Sequence, residues 1–203
     1  MSAKKRVAIL ISGRGSNMRA LIAAAAAPDY PAQIVLVLSN VETAAGLEFA
    51  REAGIATKVI SHKVFASREE FDAAVDKVLR AAQVDLICLA GFMRIQSEGF
   101  VRAWEGRILN IHPSLLPAFP GTKVHEQVLA AGVTTSGCTV HFVVPQLDAG
   151  PVIAQATVPV LPGDTPDTLA ARVLEEEHKL YPAALKAVAE SKVALRDGDA
   201  VFG

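Results

Sequence analysis

The chain has 203 residues, of which 51% are hydrophobic, and this is enough apolar material for one sizeable core. Its 20 lysine and arginine residues nearly balance 21 aspartate and glutamate residues, so the formal net charge is −1. A protein that holds nucleic acid by bulk charge would be strongly basic, and no apolar run approaches the roughly 18 residues of a membrane helix. The apolar stretch 7–12 is too short for a signal peptide, so we expect a cytoplasmic protein.

Cysteine and histidine are sparse in this chain. Cys88 lies in an apolar run and Cys138 in a predicted strand, and a reduced pair fits the cytoplasm. Neither cysteine has the spacing of a metal ligand, and the five histidines are scattered singly. The sequence therefore predicts no metal site.

The first half of the chain alternates apolar runs with helical stretches. The apolar runs predict strands at 7–11, 33–39, 57–60, 85–90 and 108–111. The stretches between them predict helices at 18–27, 44–53, 67–82 and 97–103, the third of which begins with a Ser67–Glu70 capping box. This alternation is typical of the α/β class with a doubly wound, mostly parallel sheet.

The pattern changes in the second half. A helix is predicted at 124–131, where Gly132 stops it, and β-rich runs at 135–144 and 152–160 predict an antiparallel C-terminal extension of the sheet. A long closing helix is predicted over 165–190.

The ends of that closing helix carry three further expectations. Asp164 is a candidate N-cap, and Pro182 predicts a kink or break near Tyr181 because proline cannot donate within a helix. Residues 191–203 are polar and predict a loose tail. We find no linker that would separate two domains.

A glycine-rich turn, Gly13-Arg14-Gly15-Ser16-Asn17, joins the first strand to the first helix. Strand, glycine turn and helix together present backbone N–H groups and a helix N-terminus to a phosphate. The third glycine of the dinucleotide fingerprint would fall at Met18, so the pattern favours a monophosphate over a dinucleotide. Ser16 and Asn17 add side-chain donors. A tight turn that binds nothing is the alternative.

Asn110 and His112 lie at the end of the fifth predicted strand, which Pro113 stops. Residues two apart on a strand point to the same face, and ligands of open α/β sheets bind at the carboxyl ends of strands. An amide and an imidazole side by side can stabilise an oxygen that becomes negative, which suits acyl or formyl transfer. In the alternative, Asn110 caps a turn and His112 is a satisfied core histidine.

The segment after the fourth strand, 91–95, carries apolar residues out of the sheet at its carboxyl end. A flat aromatic ligand would fit against them, although such loops also pack on their own core. Ser114 has no base beside it and is interpreted as structural. His62 and His125 are interpreted as surface residues, and Asp148, before Ala149-Gly150, can be a simple turn former.

With these residues in place, the chain resembles the glycinamide ribonucleotide formyltransferase family, from about residue 7 to about residue 189. The Ser-Leu-Leu-Pro core is shared by several formyltransferases and a formyl-folate hydrolase, whereas the Gly-Ser-Asn loop together with Glu-His-x-x-Tyr-Pro is more specific. The matching segments, in family order, are 11–17, 89–94, 110–117, 140–143, 147–153 and 177–182.

The resemblance implies a catalytic set of Asn110, His112 and Asp148. His141 matches a histidine near that set. The substrate-binding residues that the resemblance implies are Gly15, Ser16 and Asn17 for the phosphate of glycinamide ribonucleotide, Glu177 for its ribose hydroxyls, and Arg68, Met93, Arg94, Ile95, Gln96 and Asn110 for the folate.

The resemblance also implies the reaction and its molecules. A formyl group would move from the co-substrate 10-formyltetrahydrofolate to the amine of glycinamide ribonucleotide, in purine biosynthesis, by direct attack and without a metal. Asp148 would favour the imidazolium form of His112 or orient a water that carries a proton. The partners would be small molecules only, with no nucleic acid and no membrane, and the protein a monomer or homodimer.

The implied organisation is the formyltransferase fold, a single domain over 1–203. It comprises a phosphate-binding, Rossmann-like half at 1–105, a catalytic and folate-binding half at 106–190, and a tail at 191–203. Two residues depart from the family pattern. Lys123 stands where relatives commonly have histidine, and Leu174 replaces a polar residue near the substrate end of the last helix.

Four other functions compete with this interpretation. A 10-formyltetrahydrofolate hydrolase shares the core but carries an extra N-terminal domain, whereas six residues precede the first strand here. Methionyl-tRNA formyltransferase would want a C-terminal RNA-binding domain and a basic surface. A non-catalytic nucleotide-binding module would need the phosphate loop alone. A nicotinamide dehydrogenase is disfavoured by the missing third glycine.

Overall fold

The computed structural model describes residues 3–203, which fold around a seven-stranded sheet of order β3-β2-β1-β4-β5-β6-β7. The strands are β1 Lys5–Ile11, β2 Ala32–Ser39, β3 Ala56–Val59, β4 Leu86–Leu89, β5 Ile108–His112, β6 Thr135–Phe142, β7 Val152–Pro159, β8 Val193–Arg196 and β9 Asp199–Phe202. The helices are α1 Ser16–Ala25, α2 Gly46–Glu52, α3 Arg68–Ala81, α4 Glu98–Ala103, α5 Val124–Ala131 and α6 Pro166–Ala189, with a 3₁₀ turn at His62–Val64.

The pairing of the strands confirms the predicted fold class. Strands β1 to β5 pair in parallel, and β6 and β7 extend the sheet in antiparallel order. β5 ends at His112, immediately before Pro113, as a proline without an N–H requires. The strand order reverses between β1 and its neighbours β2 and β4, and such a switch point opens a crevice at the carboxyl ends of the strands.

The central strand β1 shows why helices cover both faces of the sheet. Val7, Ile9 and Ile11 pack into a core with α1, α2 and α6, whereas Ala8 and Leu10 pack into a second core with α3 and α4. All five side chains are fully buried. A strand that is buried on both faces reads as a continuous apolar run, which is the pattern that predicted it.

The closing helix α6 differs from the prediction at its start and at its proline. Thr165, not Asp164, is the N-cap, and it forms a capping box with Thr168. The Arg172 guanidinium instead binds the Asp164 carboxylate at 2.7 Å, and this hydrogen bond holds the pKa of Asp164 well below its usual range. Of the predicted kink or break at Pro182, the break is wrong, because the helix continues through the proline to Ala189.

Residues 191–203 are not the loose tail that their polarity predicts. Strands β8 and β9 pair as an antiparallel hairpin. Val193 is buried in the same core as β1 and α6, and Leu195 packs partly against it. Side chains alternate between the two faces of a hairpin, and only the face that meets the core has to be apolar. A few apolar side chains can therefore anchor a segment whose overall composition is polar.

The Tyr181 hydroxyl fixes α6 to β4 and β5, because its single hydrogen is shared between the carbonyls of Leu89 and Leu109, each 3.0 Å from the hydroxyl oxygen. We expect Tyr181→Phe to lower the free energy of unfolding by about 1–3 kcal/mol, since it strips a buried hydroxyl from two buried acceptors. Urea denaturation measures the change. Tyr30→Phe is the matched control, because the Tyr30 hydroxyl serves only the Pro182 carbonyl. An equal loss in both variants would contradict this role of Tyr181.

Candidate active site

A cleft of about 680 Å³ opens at the carboxyl ends of β4 and β5. One wall is the segment Gly91–Gln96 after β4, which we call the β4 loop, and the other wall carries the β6–β7 connection and the first turns of α5 and α6. The structure brings most of the predicted site residues into this cleft. They are Met93, Arg94, Ile95, Gln96, Asn110, His112, His141 and Asp148.

Asn110 and His141 face each other because β5 pairs with β6 in that register. The His141 Nδ1 lies 2.9 Å from the Phe142 carbonyl, which can only accept, so Nδ1 carries the proton. Burial lowers the pKa of His141, and the neutral ring therefore offers Nε2 as an acceptor. The Asn110 Nδ2 donates to it at 3.2 Å. This contact fixes the amide orientation and leaves a second N–H of Asn110 for a ligand.

His112 is buried between two acceptors. Its Nε2 donates to the Phe119 carbonyl at 2.9 Å, and its Nδ1 lies 3.6 Å from the Asp148 Oδ2. The same carboxylate oxygen accepts the Gly121 N–H at 2.8 Å. The His112 and Asp148 side chains are 6% and 8% exposed, so their interaction is only weakly screened by water. Both ring nitrogens of His112 thus face an oxygen of the protein.

The connection after β6 needs its particular residues. Asp148 has φ 50°, a left-handed conformation that aspartate tolerates better than most residues, so it does form a turn as well as contact His112. A Cβ at Gly150 would overlap the Phe142 carbonyl oxygen, which is the group that orients His141. The Asp-Ala-Gly sequence thus holds the β6–β7 connection close against the end of β6.

The β4 loop presents apolar side chains, as predicted. Met93 and Ile95 are 70% and 51% exposed. Gln96 donates from Nε2 to the Arg94 carbonyl at 2.9 Å, and this bond closes the loop on itself. The buried Arg94 Nε has no hydrogen-bond partner among residues 3–203. An exposed apolar surface beside a buried, unused donor suits a flat, partly polar ligand.

The predicted phosphate loop lies outside the lining of this cleft. Helix α1 begins at Ser16, two residues earlier than predicted, so Ser16 and Asn17 form its first turn. Gly15 precedes the helix with φ 69°, a conformation that glycine adopts readily. The first N–H groups of a helix have no partner within it, and they can bind an anion.

Asn17 and Glu177 join α1 to α6. The Asn17 Nδ2 donates to the Glu177 Oε2 at 2.6 Å. Burial raises the pKa of Glu177, and the Asn17 bond offsets part of that effect. The Asn17 Oδ1 is buried and has no partner among the described residues. A buried carboxylate beside an unused amide oxygen offers acceptors for a ligand that carries hydroxyl groups.

Four other residues that the sequence singled out have the following places in the structure. His125 is not a surface residue: it lines the cleft in the first turn of α5, and burial lowers its pKa. His62 accepts a bond from Asn40. Arg68 is exposed at the start of α3 and does not line the cleft. Lys123 does line the cleft. It has φ 55°, and its Nζ lies 3.7 Å from the Glu126 Oε2.

Two further observations bear on the kind of site. Within residues 3–203, no group of three or more His, Cys, Asp or Glu side chains is arranged to hold a metal ion. None of the helices in that range combines the length and apolar character needed to cross a membrane.

Comparison with known proteins identifies the family. The formyl transferase family matches residues 5–185. Phosphoribosylglycinamide formyltransferase of Escherichia coli K12 is 44% identical over 194 residues, which cover 96% of this chain and 92% of that protein. The crystal structure of glycinamide ribonucleotide transformylase 1 from Symbiobacterium toebii is 43% identical, with a TM-score of 0.96 over 100% of this chain and 95% of that one.

A longer relative also contains this domain. The trifunctional purine biosynthetic protein adenosine-3 of Bos taurus is 56% identical over 192 residues, which cover 95% of this chain but 19% of that protein. The resemblance inferred from the sequence motifs is confirmed. The chain belongs to the formyl transferase family, among the phosphoribosylglycinamide formyltransferases.

Proposed function

We propose that the chain transfers a formyl group from 10-formyltetrahydrofolate to the amine of 5′-phosphoribosylglycinamide, in purine biosynthesis. The observation that carries this proposal is the cleft in which Asn110, His112 and Asp148 face an apolar loop. The names of the relatives agree with it. The formyl donor is a co-substrate, and the chemistry needs no metal. The protein acts in the cytoplasm on small molecules, without nucleic acid or membrane, as a monomer or homodimer.

The order of the strands supports a division of the two substrates. The glycine turn follows β1, the β4 loop follows β4, and Asn110 lies in the carboxyl-terminal half of β5, and these three strands are neighbours. The phosphate binds Gly15, Ser16 and Asn17 at the start of α1, and the ribose hydroxyls donate to Glu177. The pterin ring lies against the β4 loop. The amine and the formyl group then meet beside Asn110.

The neutral amine attacks the formyl carbon directly, and the carbonyl oxygen becomes an oxyanion. The free Asn110 N–H and the His112 Nε2 donate to it, the oxyanion replacing the Phe119 carbonyl as the histidine's acceptor. Loss of one such donor costs on the order of 3 kcal/mol. Asp148 stabilises the charged ring or orients a water that carries the proton from the amine to N10, which leaves as the amine of tetrahydrofolate.

Arg68 and His125 differ in their position relative to the cleft. Arg68 is exposed and lies away from the cleft lining, so it contacts only an outer part of the folate. His125 lines the same cleft as His112. We assign residues 1–203 to one domain, with the phosphate-binding half at 1–105 and the catalytic half at 106–190.

The test follows deformylation of 10-formylfolate by absorbance, with and without phosphoribosylglycinamide. The proposal expects deformylation that requires the ribonucleotide and disappears in folded Asn110→Ala and His112→Ala variants. Deformylation at an equal rate without the ribonucleotide would make the protein a hydrolase. No deformylation in either case would leave a binding module and remove the catalytic roles.

We expect Asp148→Asn to lower kcat by on the order of 10²-fold or more, because it removes the charge beside His112. Asparagine tolerates the left-handed backbone and keeps an oxygen for the Gly121 N–H, so the free energy of unfolding should change by less than about 1 kcal/mol. Steady-state kinetics and urea denaturation measure both. Asp167→Asn, an exposed carboxylate at the cleft, is the control. Equal kcat values for the two variants would refute the role of Asp148.

We expect Glu177→Gln to raise the KM for the ribonucleotide about 10-fold or more, since a hydrogen bond to a charged acceptor contributes about 1.5–3 kcal/mol. Glu176→Gln, which loses only a surface pair with Lys179, should leave that KM unchanged. A normal KM in the Glu177 variant would contradict ribose binding there.

The stability of the same variant should also depend on pH differently from that of the natural chain. Because the folded pKa of Glu177 is raised, its contribution to stability is present below the unfolded pKa and is lost as pH rises through the folded value. The stability of Glu177→Gln relative to the natural chain should therefore increase as pH rises above the ordinary glutamate range. Thermal denaturation across pH measures this difference, and a difference that falls with pH would contradict it.

A further inference from the structure

Ser12, the residue that follows β1, makes two hydrogen bonds to the backbone at the start of the β4 loop. Its backbone N–H donates to the Gly91 carbonyl at 3.1 Å. Its hydroxyl oxygen accepts the Met93 N–H at 2.8 Å. The Phe92 side chain is buried in the core beside α3 and α4, whereas the Met93 side chain is exposed and burial does not hold it. Ser12 therefore holds the backbone on both sides of Phe92, at Gly91 and at Met93.

The Ser12 hydroxyl is itself aimed by a chain of polar groups. A serine hydroxyl has one hydrogen, and because Ser12 accepts from Met93, that hydrogen goes to the Asn40 Oδ1 at 2.5 Å. The amide of Asn40, which is 4% exposed, is thereby oriented with its Nδ2 toward His62. The His62 Nδ1 accepts at 3.2 Å. The donations therefore run in one direction, from Met93 to Ser12 and from Ser12 to Asn40, and Asn40 in turn donates to His62.

The far end of the loop is held independently. The buried Asp72 carboxylate on α3 accepts the Ser97 N–H at 2.5 Å, just beyond Gln96. Ser97 is in turn the N-cap of α4. The β4 loop is thus fixed at both ends by side chains from other elements, Ser12 at its start and Asp72 at its end.

We propose that Ser12, aimed by Asn40 and His62, is a positioning residue that sets the backbone of residues 91–93 for a flat heterocyclic ligand. The inference rests on the proposed function, because the ligand is the pterin of the formyl donor. A ring edged with donors and acceptors binds well only if the backbone groups that meet it are already in place, since ordering them on binding reduces affinity. Ser12 also precedes Gly13, so it joins the two substrate loops without touching either substrate.

Ser12→Ala tests the proposal, with Ser39→Ala as the matched control. Ser39 is a fully buried serine at the end of the neighbouring strand β2, and its hydroxyl bonds only the backbone of Val41. We expect Ser12→Ala to raise the KM for the formyl donor about 5- to 10-fold, as loss of one hydrogen bond implies, with kcat and the ribonucleotide KM within about 2-fold. Ser12→Thr keeps the hydroxyl and should restore the donor KM.

A second measurement does not depend on activity. The Met93 amide should exchange with deuterium at least about 10-fold faster in Ser12→Ala and at the natural rate in Ser39→Ala. If Ser12→Ala does not fold, Asn40→Ala serves instead, because it leaves the hydroxyl in place without its acceptor, and about a 3-fold rise in donor KM is expected.

A binding measurement distinguishes failure of the proposed function from failure of the positioning role of Ser12. Calorimetry with tetrahydrofolate shows first whether the natural chain binds a folate, and failure there removes the proposed function. If the natural chain binds it and Ser12→Ala binds equally, or if Ser39→Ala has the same effect as Ser12→Ala, then the positioning role of Ser12 is wrong while the proposed function stands.

Discussion

The antiparallel pairing of β5 with β6 is the constraint on which the candidate site depends. Residues directly opposite in such a pair lie about 4.5–5.5 Å apart, so the backbone ladder itself brings Asn110 to His141. A slip of one residue would place an apolar neighbour of His141 there and turn the other side chains to the wrong face. Gly150 permits this arrangement, because any Cβ would strike the end of β6.

The features that the sequence predicts well are those set by neighbours in the chain. The period of two on a strand places Asn110 and His112 on one face, and Pro113 ends that strand where expected. The bounds of α5 were predicted to the residue, because Gly132 adopts the left-handed conformation that ends a helix. The parallel sheet and its antiparallel extension also follow from local patterns.

The features that sequence reasoning missed depend on distant partners or on a choice between adjacent residues. Ser12 and Met93 are 81 residues apart, and Asn17 and Glu177 are 160 apart, so no local pattern reveals either bond. Asp164 and Thr165 are both good N-caps, and in the structure Thr165 caps the helix whereas Asp164 pairs with Arg172. His125 had one available signal, its place in a first helical turn just after a proline–glycine loop.

The main core has a consequence for the integrity of the chain. Its buried residues run from Val7 to Val193 and come from both sides of the loop at Gly106, so this core is complete only when both parts of the chain are present. A chain cut at that loop would give two fragments that each expose half of one core. The main core would form only when the two fragments associate, so the amount of native protein would follow the concentrations of both pieces.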